Sequence, residues 1–286
     1  VSAAIIGALR RNADEWAEGG AVGRWFIAVM GSAATKETRF SSDVDLVFGY
    51  ADAKGGDVEP AFVELLRRLE GALAPITVDC RLRPEGKSAQ LAWEGDAYRN
   101  YLRTRARVWE LQAHCKIEFV AGDRQCFDKV IDAVAERIVA LDKEKTRVEL
   151  SELRKKTEAR PLGVGAARLN LRKGVGGLAD AEIVAHLALL DDPDRYRELR
   201  AVPLETILTE APGDYDDAAR AVATLKAIDL HNERLFNASG SRLPTDERRL
   251  EEIAEAVSAG SAEELRRTIN DAMKTIRELR KREFAG

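Results

Sequence analysis

Apolar positions along this chain follow two regimes. Up to about residue 140, short apolar runs of strand length alternate with stretches of helical period. Trp25–Met30 is a continuous apolar run, and Val44–Tyr50 is apolar except at Asp45 and Gly49, so each reads as a strand. Ile76, Val78, Cys80 and Leu82 alternate with Thr77, Asp79, Arg81 and Arg83, which predicts a third strand over 76–82 with one apolar and one polar face. Lys116–Ala121 predicts a short edge strand. Between these, residues 1–22 carry Ile5, Ile6, Leu9 and Trp16 on one helical side. Residues 58–73 repeat Phe62, Leu65, Leu66 and Leu69, and residues 96–115 and 127–141 also read as helices. Lys54–Asp57 and residues 83–95 read as loops. Beyond residue 140 the helical period takes over, at 144–158, 178–190, 215–237, 245–258 and 262–283, with one short strand at 167–172. Breaks fall at Arg160–Gly165, Asp191–Asp194, Pro203 and Ala211–Asp214. Strands with interleaved helices followed by helices alone predict an α+β chain: a mixed sheet with flanking helices over residues 1–140, then a helical bundle over 141–286.

The polar positions of the strands carry the chemistry. Asp43 and Asp45 are one residue apart, so they project from one face of the second strand, while Val44, Leu46 and Phe48 project from the other. Two carboxylates at the edge of a buried sheet repel each other and lose hydration, and a divalent cation relieves both penalties. Asp79 has the same relation to its own strand. If the two strands are neighbours, Asp43, Asp45 and Asp79 form the ligand set of a two-metal phosphoryl-transfer site for Mg²⁺ or Mn²⁺. Upstream, Gly31-Ser32 ends the first strand in a turn whose N–H groups and hydroxyl suit a phosphate. Arg81 and Arg83 suit a polyphosphate, or they neutralise Asp79 and nearby acids. Lys116 is a candidate phosphate or nucleotide contact, or a surface lysine beside Glu110. Lys173 opens Lys173-Gly-Val-Gly-Gly177, whose glycines before a helix can form an anion nest. Asp180 and Glu182 follow on that helix about 200° apart, so at most one of them faces a given site.

Composition narrows the classes. Of 286 residues, 45% are apolar, which suffices for a sizeable core. The net charge of −4, with no basic stripe free of acids, argues against nucleic acid as a partner. No apolar run is long enough to span a membrane and no leader pattern opens the chain, so a cytoplasmic protein without membrane contact is expected. Three scattered cysteines suggest neither a disulfide framework nor a zinc site.

Gly31-Ser32 followed by Asp43-x-Asp45 resembles the signature of the polymerase-β-type nucleotidyltransferase superfamily. Within it the chain resembles the glutamine synthetase adenylyltransferase family. The segments that carry the resemblance are Ser41-Ser-Asp-Val-Asp-Leu46, Val78-Asp-Cys-Arg-Leu-Arg-Pro-Glu-Gly86, Trp109-Glu-Leu-Gln-Ala113 with Lys116 and Ala121-Gly-Asp123, and Lys173-Gly-Val-Gly-Gly-Leu-Ala-Asp-Ala-Glu-Ile183. The resemblance implies ATP as substrate. It implies AMP transfer to a tyrosine hydroxyl of glutamine synthetase, or phosphorolytic removal of that group. It also implies a mixed catalytic domain followed by a helical bundle. The chain has room for one of the two catalytic units of the family's full-length enzymes. After Gly31 it reads Ser-Ala-Ala-Thr where the family usually has Lys-Leu-Gly-Gly. Two alternatives stay open: the same chemistry on another protein or a small hydroxylated acceptor, and a non-catalytic regulatory module that binds nucleotide.

Overall fold

Six successive buried side chains, Trp25 to Met30, make the first strand a central one, because only a strand covered on both faces can bury every position. The computed structural model describes residues 1–20, 22–39, 41–52, 58–158 and 169–284. In chain order the elements are α1 (Ser2–Ala17), β1 (Trp25–Met30), α2 (Gly31–Ala34), β2 (Val44–Tyr50), α3 (Glu59–Leu73), β3 (Val78–Asp79), β4 (Ala92–Glu94), α4 (Gly95–Thr104), α5 (Val108–His114), β5 (Ile117–Gly122) and α6 (Arg124–Val139). There follow α7 (Lys143–Glu158), α8 (Leu178–Leu190), α9 (Pro193–Leu199), α10 (Leu204–Glu210), α11 (Asp216–Phe236), α12 (Glu247–Ala256) and α13 (Ala262–Phe284). The loop read at 54–57, the break read at 160–165 and the first two residues of the stretch read at 167–172 lie outside the described residues.

The strands form one mixed sheet, ordered β3-β2-β1-β5, with β4 also paired to β2. β1 runs antiparallel to β2 and β5, while β3 and β4 run parallel to β2. One face carries Ile27, Val29, Val44, Leu46 and Phe48, packed with Leu9 and Trp16 of α1 and Phe62, Leu65 and Leu69 of α3. Trp16 meets Trp25 edge-on at 5.3 Å, and Phe62 touches both Trp16 and Phe48. Phe26 points to the other face and meets Phe127 of α6 at 5.7 Å. Its ring fills the space over Gly49, where a Cβ would lie 2.3 Å from it. Asp45 sits on this second face, opposite Leu46, and pairs across the ladder with Met30.

In the part before residue 140, three predicted elements differ. The third strand pairs only at Val78–Asp79, because the Asp79 carboxylate accepts the Arg81 N–H and turns the chain out of the sheet. The loop read over 83–95 contains β4, too short to show alternation. The helix read over 96–115 is two helices, α4 and α5. No glycine or proline marks the break; Glu110 sets up a new helix start by accepting the Arg107 N–H at 2.9 Å.

By internal contacts the chain divides into Val1–Leu141 with Leu189–Pro203, and Asp142–Ala188 with Leu204–Gly286. Residues 189–203 belong with the first unit: Tyr196 is fully buried there, and the Ala201 N–H bonds the Cys115 carbonyl at 3.0 Å. In the second unit α11 packs with α10, α12 and α13, burying Val222, Leu225 and Ile228 with Leu265, Ile269 and Ile276. Its described residues contain a single isolated bridge, Asn170 to Arg242, where a short strand at 167–172 was expected. No helix among the described residues is long and apolar enough to cross a membrane.

Candidate active site

At the end of β1 the backbone turns abruptly at Gly31, whose φ is +63°. L side chains rarely adopt this region, and a second constraint is steric: a Cβ here would lie 2.9 Å from Asp45 Oδ2. The glycine is therefore required by both its torsion and the carboxylate beside it. Its N–H is held by the Lys116 carbonyl at 2.9 Å. Ser32 follows in the first turn of α2, half-buried.

Asp45 and Asp79 are direct partners in the parallel β2–β3 register. The alternation along β2 and this register together put Asp43, Asp45 and Asp79 on one side of the sheet. Asp43 is exposed, and Asp45 and Asp79 are half-buried. Burial, then the charges of Asp79 and Asp43, push the Asp45 carboxyl up to about 6, against the pull of Lys116 and Arg81. Asp79 shifts the other way. Its pKa is lowered, chiefly by the hydrogen bond from the Arg81 side chain. Of two adjacent carboxylates, one is neutralised by Arg81 and the other carries the repulsion.

These charges test the site for a metal. Asp43 and Asp45 are hard oxygen donors, and a dication between them offsets the penalty on Asp45; that donor set fits Mg²⁺ or Mn²⁺. Among the described residues, no three acid, histidine or cysteine side chains stand arranged as a ready metal cage. Asp79, expected as the third ligand, is paired with Arg81.

The other predicted residues separate. Gly31, Ser32, Asp43, Asp45, Asp79, Arg81 and Lys116 all belong to the first unit. Arg81 and Lys116 both act on Asp45 through their charge. Arg83 does not share this arrangement. Its guanidinium donates to the carbonyls of Cys80, Lys87 and Ala89, so it ties down the loop after β3. Lys173 lies in the second unit with an exposed side chain.

The glycine run after Lys173 is not an open anion nest. The N–H groups of Lys173 and Gly174 go to Asn170, that of Gly176 to Asp180, and that of Gly177 to the Gly174 carbonyl. Asp180 is fully buried, bound by Arg154 at 2.6 Å and Arg280 at 2.9 Å. Glu182 instead pairs with Arg172 at 3.1 Å. Sequence reasoning did not single out Tyr98 and Tyr101 of α4, although both hydroxyls bond side chains of α5, His114 and Glu110.

The α+β fold, a mixed sheet with flanking helices followed by further helices, is consistent with a nucleotidyltransferase fold. Comparison with known proteins narrows the class. The family model for glutamate-ammonia ligase adenylyltransferase matches residues 3–133. A bifunctional glutamine synthetase adenylyltransferase/adenylyl-removing enzyme from Streptomyces coelicolor is 30% identical over 90% of this chain and 28% of its own length. Proteins of the same name from Streptomyces avermitilis and Xanthomonas axonopodis pv. citri are 34% and 32% identical, over 58% and 59% of this chain and 18% and 20% of their own. The chain belongs to the glutamine synthetase adenylyltransferase family, and it spans about a fifth to just over a quarter of the length of these curated relatives.

Proposed function

We propose that the first unit transfers AMP from ATP to a hydroxyl of a protein acceptor, a tyrosine of glutamine synthetase, or removes that group by phosphorolysis. The observation that carries the reading is the carboxylate arrangement: Asp45 in register with Asp79, pressed against Gly31, and held at about 6 by burial and by its acidic neighbours. A site with this unrelieved negative charge, flanked by Arg81 and Lys116, is built for a cation and a polyphosphate together. The relatives, named for both directions of adenylyl transfer, support the same chemistry.

Asp43 and Asp45 would hold the metal; Mg²⁺ or Mn²⁺ there would supply charge neutralisation for the triphosphate and the departing pyrophosphate. Gly31 and Ser32 border the phosphates, and Lys116 and Arg81 pair with their oxygens. When Arg81 turns to phosphate, Asp79 is released as an acid-base group for the acceptor hydroxyl. In transfer, the acceptor oxygen bonds to the α-phosphorus and the bond from that phosphorus to the β-phosphate oxygen breaks. Pyrophosphate leaves, and the hydroxyl proton passes to Asp79. The reverse direction uses inorganic phosphate as the nucleophile and releases ADP.

The test is incubation with glutamine synthetase, Mg²⁺ and α-labelled ATP. Label on a tyrosine together with equimolar pyrophosphate establishes transfer. Release of labelled ADP from pre-adenylylated glutamine synthetase in phosphate establishes removal. Neither product, with glutamine synthetase or with the free chain, refutes the assignment.

A further inference from the structure

α5 both starts and ends on buried polar groups. Glu110, only 5% exposed, accepts the Arg107 N–H at 2.9 Å and the Tyr101 hydroxyl at 2.6 Å. One turn later the His114 ring is buried too. Its Nδ1 lies 2.6 Å from the Glu110 carbonyl oxygen, and its Nε2 lies 2.9 Å from the Tyr98 hydroxyl. A carbonyl oxygen only accepts, so Nδ1 carries the proton. Nε2 is then the acceptor and Tyr98 donates to it. Burial holds the His114 pKa below its ordinary value, which keeps this neutral tautomer.

The carbonyls that a helix end leaves without intrahelical partners are met one after another. His114 O accepts the Tyr196 hydroxyl at 3.4 Å, and Cys115 O accepts the Ala201 N–H at 3.0 Å. The next carbonyl, that of Lys116, accepts the Gly31 N–H at 2.9 Å. The Lys116 side chain acts on Asp45 through its charge. The segment Glu110–Lys116 is thus clamped by buried side chains at one end and touches the candidate site at the other. Packing alone does not call for this clamp. An apolar pair of the same volume would fill the space without desolvating a carboxylate and an imidazole.

We propose that Glu110 and His114, locked by Tyr101 and Tyr98, are positioning residues for the nucleotide site. They fix the phase at which α5 ends, so that Lys116 offers its carbonyl to Gly31 and its ammonium to the polyphosphate. The part that concerns the polyphosphate rests on the nucleotidyltransferase reading; the part that concerns Gly31 does not.

The two parts are tested separately. Hydrogen exchange at the Gly31 amide is measured without nucleotide in the wild type, in Tyr98→Phe, which removes only a hydroxyl, and in Glu110→Gln. The Gly31 amide is expected to exchange at least about tenfold faster in both variants, the factor that weakening by roughly one hydrogen bond gives. Amides of α3 should keep their wild-type rates. Unchanged exchange at Gly31 in both variants overturns the proposal, and acceleration everywhere shows general destabilisation and overturns it equally. KM for ATP and kcat are then compared in Tyr98→Phe, Lys116→Met and the double variant. The expected result is a raised KM at similar kcat in each single variant, with the double variant matching Lys116→Met alone, because both act through one ammonium. Additive effects overturn the role of Lys116. If the wild-type chain binds no ATP with Mg²⁺, the nucleotidyltransferase reading falls with that second part, and exchange at Gly31 decides the first.

Discussion

Replacing Asp45 with asparagine should stabilise the protein in the presence of a chelator, and more so as the pH rises through 6. The Asp45 carboxyl is raised from an ordinary 3.8 to about 6, first by burial and then by Asp79 and Asp43. The folded state therefore holds a proton over a range where the unfolded chain has released it. Stability falls as pH climbs from about 4 to about 6, and above that the whole penalty is present. About two units correspond to roughly 3 kcal/mol, and partial exposure to water reduces this to about 1–3 kcal/mol. Asparagine keeps the volume and carries no charge, so the variant escapes the penalty. At roughly 2–4 °C per kcal/mol for a unit of this size, the melting temperature at pH 8 should rise by several degrees. The assay is thermal unfolding of wild type and Asp45→Asn from pH 4.5 to 8 in EDTA, read as the difference between the two so that other titrations cancel. Millimolar Mg²⁺ should then reverse the order, because binding stabilises only the chain that holds the ion. A lower melting temperature for the variant at pH 8 in EDTA would show that Asp45 anchors a structural partner. A difference independent of pH would show that its charge is not what costs stability. Either result refutes the electrostatic account of the site.

Four other outcomes follow from the same geometry. Asp43→Asn and Asp79→Asn should each slow adenylyl transfer by roughly a thousandfold, the effect of losing about 4 kcal/mol of transition-state stabilisation, with little change in melting temperature; labelled transfer assays check this. Gly31→Ala must adopt a positive φ and push the Asp45 carboxylate aside, so it should cost about 1–2 kcal/mol in urea unfolding and abolish pyrophosphate release. Arg81→Ala should raise KM for ATP, whereas Arg83→Ala should leave KM near wild type and make the loop after β3 more sensitive to protease. Asp180→Asn should lower unfolding free energy by about 3–5 kcal/mol, because Arg154 and Arg280 lose their shared buried counter-charge.

The parts of the fold legible in the sequence are those fixed by local pattern. β1 and β2 match their predicted bounds because continuous burial and period-two alternation are written directly into their residues. The common side of Asp43 and Asp45 is equally local. The partnership of Asp45 with Asp79 is not, since strand register depends on which strands meet. β3 shortens because one carboxylate turns back to its own backbone, a bond that alternation does not encode. The break between α4 and α5 has no glycine or proline because a buried glutamate, bonded to the Tyr101 hydroxyl across the break, creates it. Residues 191–203, read only for breaks, contain α9, and only the buried Tyr196 and the packing of α9 on α6 reveal that they belong to the first unit. Arg81 and Arg83 are the same residue type two positions apart. One pairs with Asp79 and the other is taken by loop carbonyls, a choice made by where the chain from 87 to 89 passes.

The glycine run after Lys173 carries this argument furthest. An anion nest and a close backbone crossing both demand glycine, so the residue types do not distinguish them. The amide accounting does. An anion needs N–H groups left unspent, and those of Gly174, Gly176 and Gly177 are all bonded within the fold. The steric accounting agrees, since a Cβ on Gly176 would lie 2.0 Å from the Met273 carbonyl of α13, and one on Gly177 2.5 Å from the Leu171 carbonyl. Arg154 then spans the turn, donating to the carbonyls of Lys173 and Gly174 while it pairs with Asp180. Arg280 of α13 reaches the same carboxylate. The glycines let the chain pass within contact of α13, and Asp180 with its two arginines holds it there. Asp180 therefore acts as the central acid of a clamp inside the second unit, and the Gly-Gly-x-x-Asp spacing is what brings that acid back to the Gly176 amide.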